Sequence, residues 1–189
     1  MDPADTSTIY IGTGEVYAYQ NSTGGLAIRT TRGSYGIGIL KTSDGGISWD
    51  HVLDWSYNQE RGVQVIKIDP LDSKIVWAGT TEGVYKSPDR GQSWEMVNET
   101  LMTTDIVIDK EHPDTVWIAC GNLGSPNGGI YRTFDGGESW SACENGLPEP
   151  FRGKIKISQS HSSPHVLLAG FGMGHSGHDG SFLCKTENY

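Results

Sequence analysis

Three segments of this chain share an aspartate, a glycine two residues later, a serine four residues later and a tryptophan five residues later. Their aspartates, Asp44, Asp89 and Asp135, are 45 and then 46 residues apart in the sequence. A fourth copy begins at Lys185 and runs into the end of the sequence. A repeat of this length is the size of one supersecondary unit that stacks on its neighbours. We call the three full copies the aspartate turns, and they are Thr42–Trp49, Ser87–Trp94 and Thr133–Trp140.

Each repeat also contains four short apolar runs rich in Val, Ile and aromatic residues, which favours four β-strands. Four strands in a period near 45 residues are typical of one blade of a β-propeller. We therefore predict an all-β fold, a β-propeller fragment of about 3.5 four-stranded antiparallel blades. The strands of a blade are named A to D, and an aspartate turn joins C to D. In blade two they are predicted at Val63–Ile68, Ile75–Gly79, Gly83–Ser87 and Ser93–Val97.

One domain is predicted over residues 1–189, because the repeat covers nearly the whole chain. The approximate blades are 1–56, 57–102, 103–146 and 147–189, of which the first and last are incomplete. Open blade edges and apolar blade faces are exposed surfaces that promote association. We therefore expect that the isolated chain self-associates, or that it was excised from a longer protein. An open arc that is stable alone is the alternative.

Composition excludes several classes of partner. The chain carries 14 Lys and Arg against 23 Asp and Glu, a formal charge of −9, which disfavours nucleic acid. No apolar run approaches the ~20 residues that span a bilayer, and Met1–Asp5 does not resemble a signal peptide. No cofactor is predicted. Three scattered cysteines form no disulfide framework or metal spacing, so they are interpreted as small apolar residues; they are Cys120, Cys143 and Cys184.

The repeated pattern of the aspartate turn has a structural explanation within one hairpin. The carboxylate accepts hydrogen bonds from N–H groups of its own turn, and the glycines allow positive φ. The tryptophan is predicted to start strand D and to bury its ring against the sheet. We therefore assign structural roles to nine residues, Asp44, Gly46, Trp49, Asp89, Gly91, Trp94, Asp135, Gly137 and Trp140.

A catalytic role for these aspartates is disfavoured, because they recur about one blade apart and glycoside chemistry needs two carboxylates within ~5–10 Å. A calcium loop is also disfavoured, since each turn offers one carboxylate where such a loop needs several.

The turns resemble the Asp-box, or BNR, repeat, Ser/Thr-x-Asp-x-Gly-x-Thr/Ser-Trp. The resemblance implies the superfamily of sialidases, xyloglucan-cleaving glycoside hydrolases, sortilin-type receptors and photosystem assembly factors. It implies that the turns lie away from any active site. It also implies an extracellular or cell-surface location, since many members are secreted. The Arg-Ile-Pro motif of sialidases is absent, and Phe151–Lys154 does not supply it.

Most irregular sequence falls in the B–C and D–A connections, which antiparallel blades place on the face opposite the turns. Long loops grouped on one face of a rigid scaffold commonly form binding sites. Tyr and Trp stack on sugars, and Arg donates a planar fork to polar ligands. A loop packed on its neighbour through the same aromatics is the alternative. The candidate ligand-binding residues are Glu15, Tyr17, Tyr19, Arg29, Arg32, Tyr35, Trp55, Tyr57 and Arg61.

Two further patterns fall on this face. Glu15 and Glu82 follow strand B in successive blades. A carboxylate in this position can act as an acid or base. The favoured interpretation is an ordinary solvated or Arg-paired carboxylate. His175, His178 and Asp179 are candidate metal ligands, but a solvated glycine-rich loop is the favoured interpretation, and no metal is predicted.

Two functions follow. The first is a non-catalytic propeller scaffold that binds a glycan or a protein, as part of a larger secreted protein. The alternative is part of the catalytic propeller of a glycoside hydrolase, sialidase-like or xyloglucanase-like. No residue is assigned a catalytic role, because the fold resemblance places none.

Overall fold

The computed structural model describes residues 1–14, 36–59, 61–121, 125–147, 153–172 and 181–186. Within these ranges every regular element is a β-strand, and the strands form four antiparallel sheets. None of the described residues forms a helix long and apolar enough to cross a lipid bilayer. The predicted all-β class is therefore confirmed.

The sheets follow one another along the chain, and the strands within each sheet lie in sequence order. Blade one contains β1 (Ile9–Gly12), β2 (Gly38–Thr42) and β3 (Asp50–Asp54). Blade two contains β4 (Val63–Ile68), β5 (Val76–Thr80), β6 (Val84–Ser87) and β7 (Glu95–Asn98). Blade three contains β8 (Thr103–Ile108), β9 (Val116–Cys120), β10 (Gly129–Thr133) and β11 (Ser141–Ala142). Blade four contains β12 (Ile155–Gln159), β13 (Leu167–Gly172) and β14 (Ser181–Thr186).

These strands match the predicted three and a half blades, since blade one consists of strands B to D and blade four of strands A to C. In blade two the first strand lies where it was predicted. The other three begin one or two residues later than predicted.

The core lies between the blades. The inner strands of successive blades are in contact, β1 with β4, β4 with β8, and β8 with β12. One apolar cluster fills each of the three junctions, and each cluster contains one fully buried tryptophan. Strands β5 and β9 are buried at every position, because a neighbouring blade covers each of their two faces. These tryptophans are Trp55, Trp77 and Trp117.

The aspartate turn of blade two is closed by its own side chains. The Asp89 carboxylate accepts hydrogen bonds from the Ser93 N–H at 2.8 Å and the Ser93 hydroxyl at 2.6 Å. The Ser87 hydroxyl donates to Asp89 at 2.9 Å and accepts from the Gly91 N–H at 2.7 Å. Equivalent bonds close the other two turns, so the predicted role of the aspartate is confirmed.

Positive φ occurs at both positions after the aspartate in all three turns. In blade two the first of them is Arg90, with φ of 62°, where the other turns have glycine. The Arg90 N–H donates at 2.7 Å to the Lys74 carbonyl, which belongs to the A–B turn of the same blade. Blades one and three have the same bond, so the A–B and C–D turns share one face, as predicted. We call it the turn face.

The tryptophans of the turns differ in burial. Each indole N–H donates to the carbonyl of the glycine three residues earlier, at 3.1 to 3.2 Å. Trp94 and Trp140 pack against the apolar junctions in front of their blades. Trp49 is 37% exposed, so the predicted burial of its ring is wrong. No described strand lies in front of blade one to cover that ring.

The carboxylates of the aspartate turns make the stability of the fold depend on pH. Hydrogen bonds from Ser93 lower the pKa of Asp89 from its ordinary 3.8 to about 2, and hydrogen bonds from serine and threonine lower those of Asp44 and Asp135. A lowered folded-state pKa stabilises the fold above the unfolded-state value and loses that contribution as the pH falls. The contribution of Asp89 is therefore present above about pH 4 and disappears as the pH falls through about 2.

We predict that Asp89→Asn flattens this part of the acid profile. The difference in urea midpoint between wild type and variant should be largest above about pH 4 and shrink towards pH 2. Ser93→Ala removes the largest cause of the lowered pKa, so it should move the loss to higher pH. Wild-type and Asp89→Asn profiles that stay parallel across this window would contradict the assignment.

Candidate ligand-binding face

The B–C and D–A connections lie on the face opposite the turns, which we call the loop face. Three of the candidate ligand-binding residues there are described, Trp55, Tyr57 and Arg61. The other candidates lie outside the described residues, and they are Glu15, Tyr17, Tyr19, Arg29, Arg32 and Tyr35. The described candidates therefore lie at the junction between blades one and two.

Trp55 is the buried base of this region. Its side chain is only 2% exposed and packs in the junction between blades one and two. The backbone N–H of Trp55 donates to the Ile37 carbonyl at 2.9 Å, which extends the pairing of β2 with β3. The ring cannot stack on a ligand from this position, so it supports the residues above it instead.

Arg61 connects Trp55 to a carboxylate. Its guanidinium carbon lies 5.7 Å from the centre of the Trp55 ring, a cation–π contact. Its Nε lies 4.0 Å from an oxygen of Glu82, and both side chains are partly exposed. Glu82 is therefore paired with an arginine, which is one of the interpretations that the sequence allowed.

Hydrogen bonds fix the backbone beside this ion pair. The Thr81 hydroxyl accepts from the Gly62 N–H at 3.1 Å and lies 3.3 Å from the Glu82 carboxylate, to which it donates. The Thr81 N–H donates to the Gly62 carbonyl at 2.9 Å. The start of β4 in blade two is thus joined to the tight B–C turn of the same blade, which holds Arg61 and Glu82 in place.

Two tyrosines complete the region. Tyr85 of β6 meets Trp55 edge to face, with ring centres 5.8 Å apart. Burial raises the pKa of the Tyr85 hydroxyl, and Arg61, Glu82 and Tyr57 act on it electrostatically. Tyr57 is 76% exposed. We call these five residues the loop-face cluster: Trp55, Tyr57, Arg61, Glu82 and Tyr85.

Sequence reasoning proposed four members of the cluster for this face and missed Tyr85. The signal for it was weak. Tyr85 follows Val84 on β6, and successive side chains point to opposite faces of a strand, so Tyr85 faces away from the junction that Val84 fills. Only the packing of blade one against blade two brings that face to Trp55.

The chemistry of the face favours binding. A guanidinium, a carboxylate and an exposed phenol all act electrostatically on the Tyr85 hydroxyl, so the surface offers an aromatic ring and both signs of charge.

The described ranges contain no group of three or more His, Cys, Asp or Glu side chains that could hold a metal ion. The candidate ligands His175, His178 and Asp179 lie outside those ranges. All three cysteines are free thiols. Cys120 is buried, and burial raises its pKa to about 12, as the apolar interpretation predicts. Cys143 and Cys184 are half-buried.

Two solved structures that superpose on this chain are glycoside hydrolases. The family 74 (GH74) enzyme of Niastella koreensis superposes with a TM-score of 0.69 at 18% identity, over 99% of this chain and 27% of that one. The GH74 xyloglucanase from Xanthomonas campestris gives 0.67 at 17% identity, over 98% and 28%. This chain has a β-propeller fold. At such identities the likeness establishes the fold alone.

No family model matches the sequence. One curated relative is the photosystem II assembly lipoprotein Ycf48 of Synechococcus sp. (strain CC9902). It is 28% identical over 142 residues, which are 71% of this chain and 38% of the relative. The chain therefore spans little more than a third of that relative, and about a quarter of the two enzymes.

Proposed function

We propose that this chain is a non-catalytic binding module that holds an extended segment of another protein on its loop face. The observation that carries the proposal is the loop-face cluster, in which the Arg61–Glu82 pair lies against a buried Trp55 and an exposed Tyr57 lies within electrostatic range of Tyr85. Tyr, Trp and Arg are enriched among the few residues that dominate the binding energy of protein interfaces.

The scaffold favours a preorganised site. Trp55 and Tyr85 are held by the apolar junction between two blades, and Arg61 is held by Trp55 and Glu82. Side chains that are already fixed lose little conformational entropy when a ligand binds. Tyr57 is exposed, but it can still contribute contact area at a low cost in conformational entropy, since a tyrosine has only two rotatable side-chain bonds.

The relatives support a protein ligand over a glycan. The Synechococcus relative is by its name an assembly factor for a protein complex, at 28% identity. The xyloglucanase likeness concerns the fold, and the described carboxylates with shifted pKa values are ionised members of turns and loops. An extracellular or cell-surface location stays a prediction from the sequence resemblance.

The test compares two exposed apolar residues on opposite faces. Tyr57 lies on the loop face and Leu71, which is 68% exposed, lies on the turn face. We expect the wild-type chain to bind a subset of a peptide array, and Tyr57→Ala to weaken that binding about tenfold. Leu71→Ala should bind as the wild type does, and both variants should keep the wild-type melting temperature.

Three results would overturn the proposal. The first is binding to a glycan array alone, with no peptide bound. The second is equal loss of peptide binding in both variants. The third is turnover of chromogenic glycosides, which would favour a catalytic propeller.

A further inference from the structure

Two of the three cysteines belong to one junction, the one between blades three and four. Cys143 directly follows β11 of blade three, and Cys184 lies on β14 of blade four. Both are half-buried free thiols, and both pack against the apolar cluster that fills this junction. Because about 40 residues separate them in the sequence, only the packing of the two blades brings them into the same cluster.

The repeat places a pair of side chains at these two positions in all three described junctions. The first position is the third residue after the tryptophan of an aspartate turn. The second is the residue of strand C in the next blade that pairs with the third residue of strand B. In each junction the two side chains pack against the same apolar cluster, and they are Val52 with Tyr85, Val97 with Tyr131, and Cys143 with Cys184. The third junction therefore has two thiols where the others have an aliphatic and an aromatic side chain.

The chain that follows Cys143 is in contact with Cys184. The Cys184 Sγ lies 3.9 Å from the carbonyl oxygen of Gly146, three residues beyond Cys143. The Cys143 N–H donates to the Ile130 carbonyl at 2.8 Å, which holds the backbone of Cys143 against strand C of blade three. Both cysteine side chains also line one cavity of the junction. The two thiols therefore lie on facing surfaces of adjacent blades, where one covalent bond between them would join the blades.

The partial exposure of the two thiols is a property of their positions in the repeat. The residues at the same positions in the other two junctions are also half-buried, and they are Val52, Tyr85, Val97 and Tyr131. Burial raises the pKa of the Cys143 thiol, and the charge of Arg132 opposes that rise. Cys120 differs because it is fully buried between blades two and three, where burial raises its pKa to about 12. Oxidation of a thiol follows its thiolate character and its exposure, so we expect Cys143 to react and Cys120 to stay reduced.

We propose that Cys143 and Cys184 are a redox pair that hydrogen peroxide converts into a disulfide between blades three and four. In the first step the Cys143 thiolate sulfur attacks a peroxide oxygen, the O–O bond breaks, and the hydroxide that leaves takes up a proton to become water. In the second step the Cys184 sulfur attacks the sulfenic acid sulfur of Cys143, and the sulfenic oxygen leaves as water. Two thiols are oxidised and one peroxide is reduced, which gives one disulfide and two waters.

The disulfide stabilises the contact between the two blades. It closes a loop of about 40 residues, which lowers the conformational entropy of the unfolded chain. We expect the oxidised chain to melt about 5–10 °C above the reduced chain. Dithiothreitol should restore the lower melting temperature, because it reduces the disulfide to two thiols. The redox pair is separate from the loop-face cluster, which lies at the junction of blades one and two.

Peptide mapping by mass spectrometry identifies the linkage. Trypsin places Cys120, Cys143 and Cys184 in three separate peptides, 111–132, 133–152 and 157–185. The chain is treated with hydrogen peroxide at about pH 8, where a larger fraction of each thiol is ionised, and the remaining thiols are alkylated in denaturant before digestion. We expect the second and third peptides to be linked with the loss of two hydrogen atoms. The first peptide should carry only alkylated Cys120.

Two variants separate the redox pair from general effects of peroxide on the chain. Cys143→Ala should form no linkage, and peroxide should not raise its melting temperature. Cys120→Ala should form the linkage at the wild-type rate and show the wild-type rise in melting temperature on oxidation. Separate oxidised thiols at Cys143 and Cys184, a linkage to Cys120, or a linkage between two chains would overturn the proposal. A linked chain that melts no higher than the reduced chain would also overturn it.

Discussion

Replacing Gly38 by alanine should lower the free energy of unfolding by about 2–5 kcal/mol. Gly38 begins β2 with φ of 101°, a conformation that L side chains rarely adopt. A Cβ at this position would lie 1.7 Å from the Leu53 carbonyl oxygen, which belongs to the backbone of the paired strand β3. The two strands would have to separate, and a domain of this size has only about 5–15 kcal/mol in total.

Gly45 is the matched control for this prediction. It also has positive φ, 76°, but a Cβ there would meet no atom within 4 Å. Gly45→Ala should therefore cost only the conformational strain, about 1–2 kcal/mol. Urea unfolding of both variants separates strain from collision. If Gly38→Ala were no more destabilising than Gly45→Ala, the close approach of β2 and β3 would be wrong.

Trp77→Ala should lower the free energy of unfolding by about 3–5 kcal/mol. The Trp77 ring is 1% exposed and fills the junction between blades two and three. It meets Trp140 edge to face, and the Lys86 ammonium lies 4.9 Å from its centre. Removing the ring leaves a cavity beneath the turn of blade three, since neighbouring strands cannot collapse into it.

Two further variants check that the loss comes from the junction. Trp77 Nε1 is buried and has no hydrogen-bond partner among the described residues, so Trp77→Phe removes a desolvated donor and should cost clearly less than alanine. Trp49→Ala, at the exposed position of blade one, should cost about 1 kcal/mol or less. Equal losses for Trp49→Ala and Trp77→Ala would show that the rings act within their own turns and not between blades.

The sequence carried enough information for the order of the sheets. The spacing of Asp44, Asp89 and Asp135 determines the period, and the β-branched runs between them place the strands to within two residues in blade two. Turn chemistry was also predictable, because Asp89 and Ser93 interact within one hairpin. Local contacts of this kind follow from short-range spacing alone.

Contacts between blades were harder to foresee. Trp49 and Trp140 occupy the same place in the repeat, yet only Trp140 has a blade in front of it. Tyr85 reaches Trp55 only after two sheets pack together. The hydrogen bond from Lys86 to the turn of blade three was missed for the same reason, since Lys86 and Gly136 are 50 residues apart and meet only in the folded arc.

The central claim is that successive sheets stack face to face and that the aspartate turns of blades two and three each rest on the blade before them. Nuclear Overhauser effects between ring protons and turn glycines test it most directly. We predict cross-peaks from Tyr10 to Gly91 and from Trp77 to Gly137, which lie in contact across successive junctions. Cross-peaks confined within single blades, with neither of these pairs observed, would contradict the account.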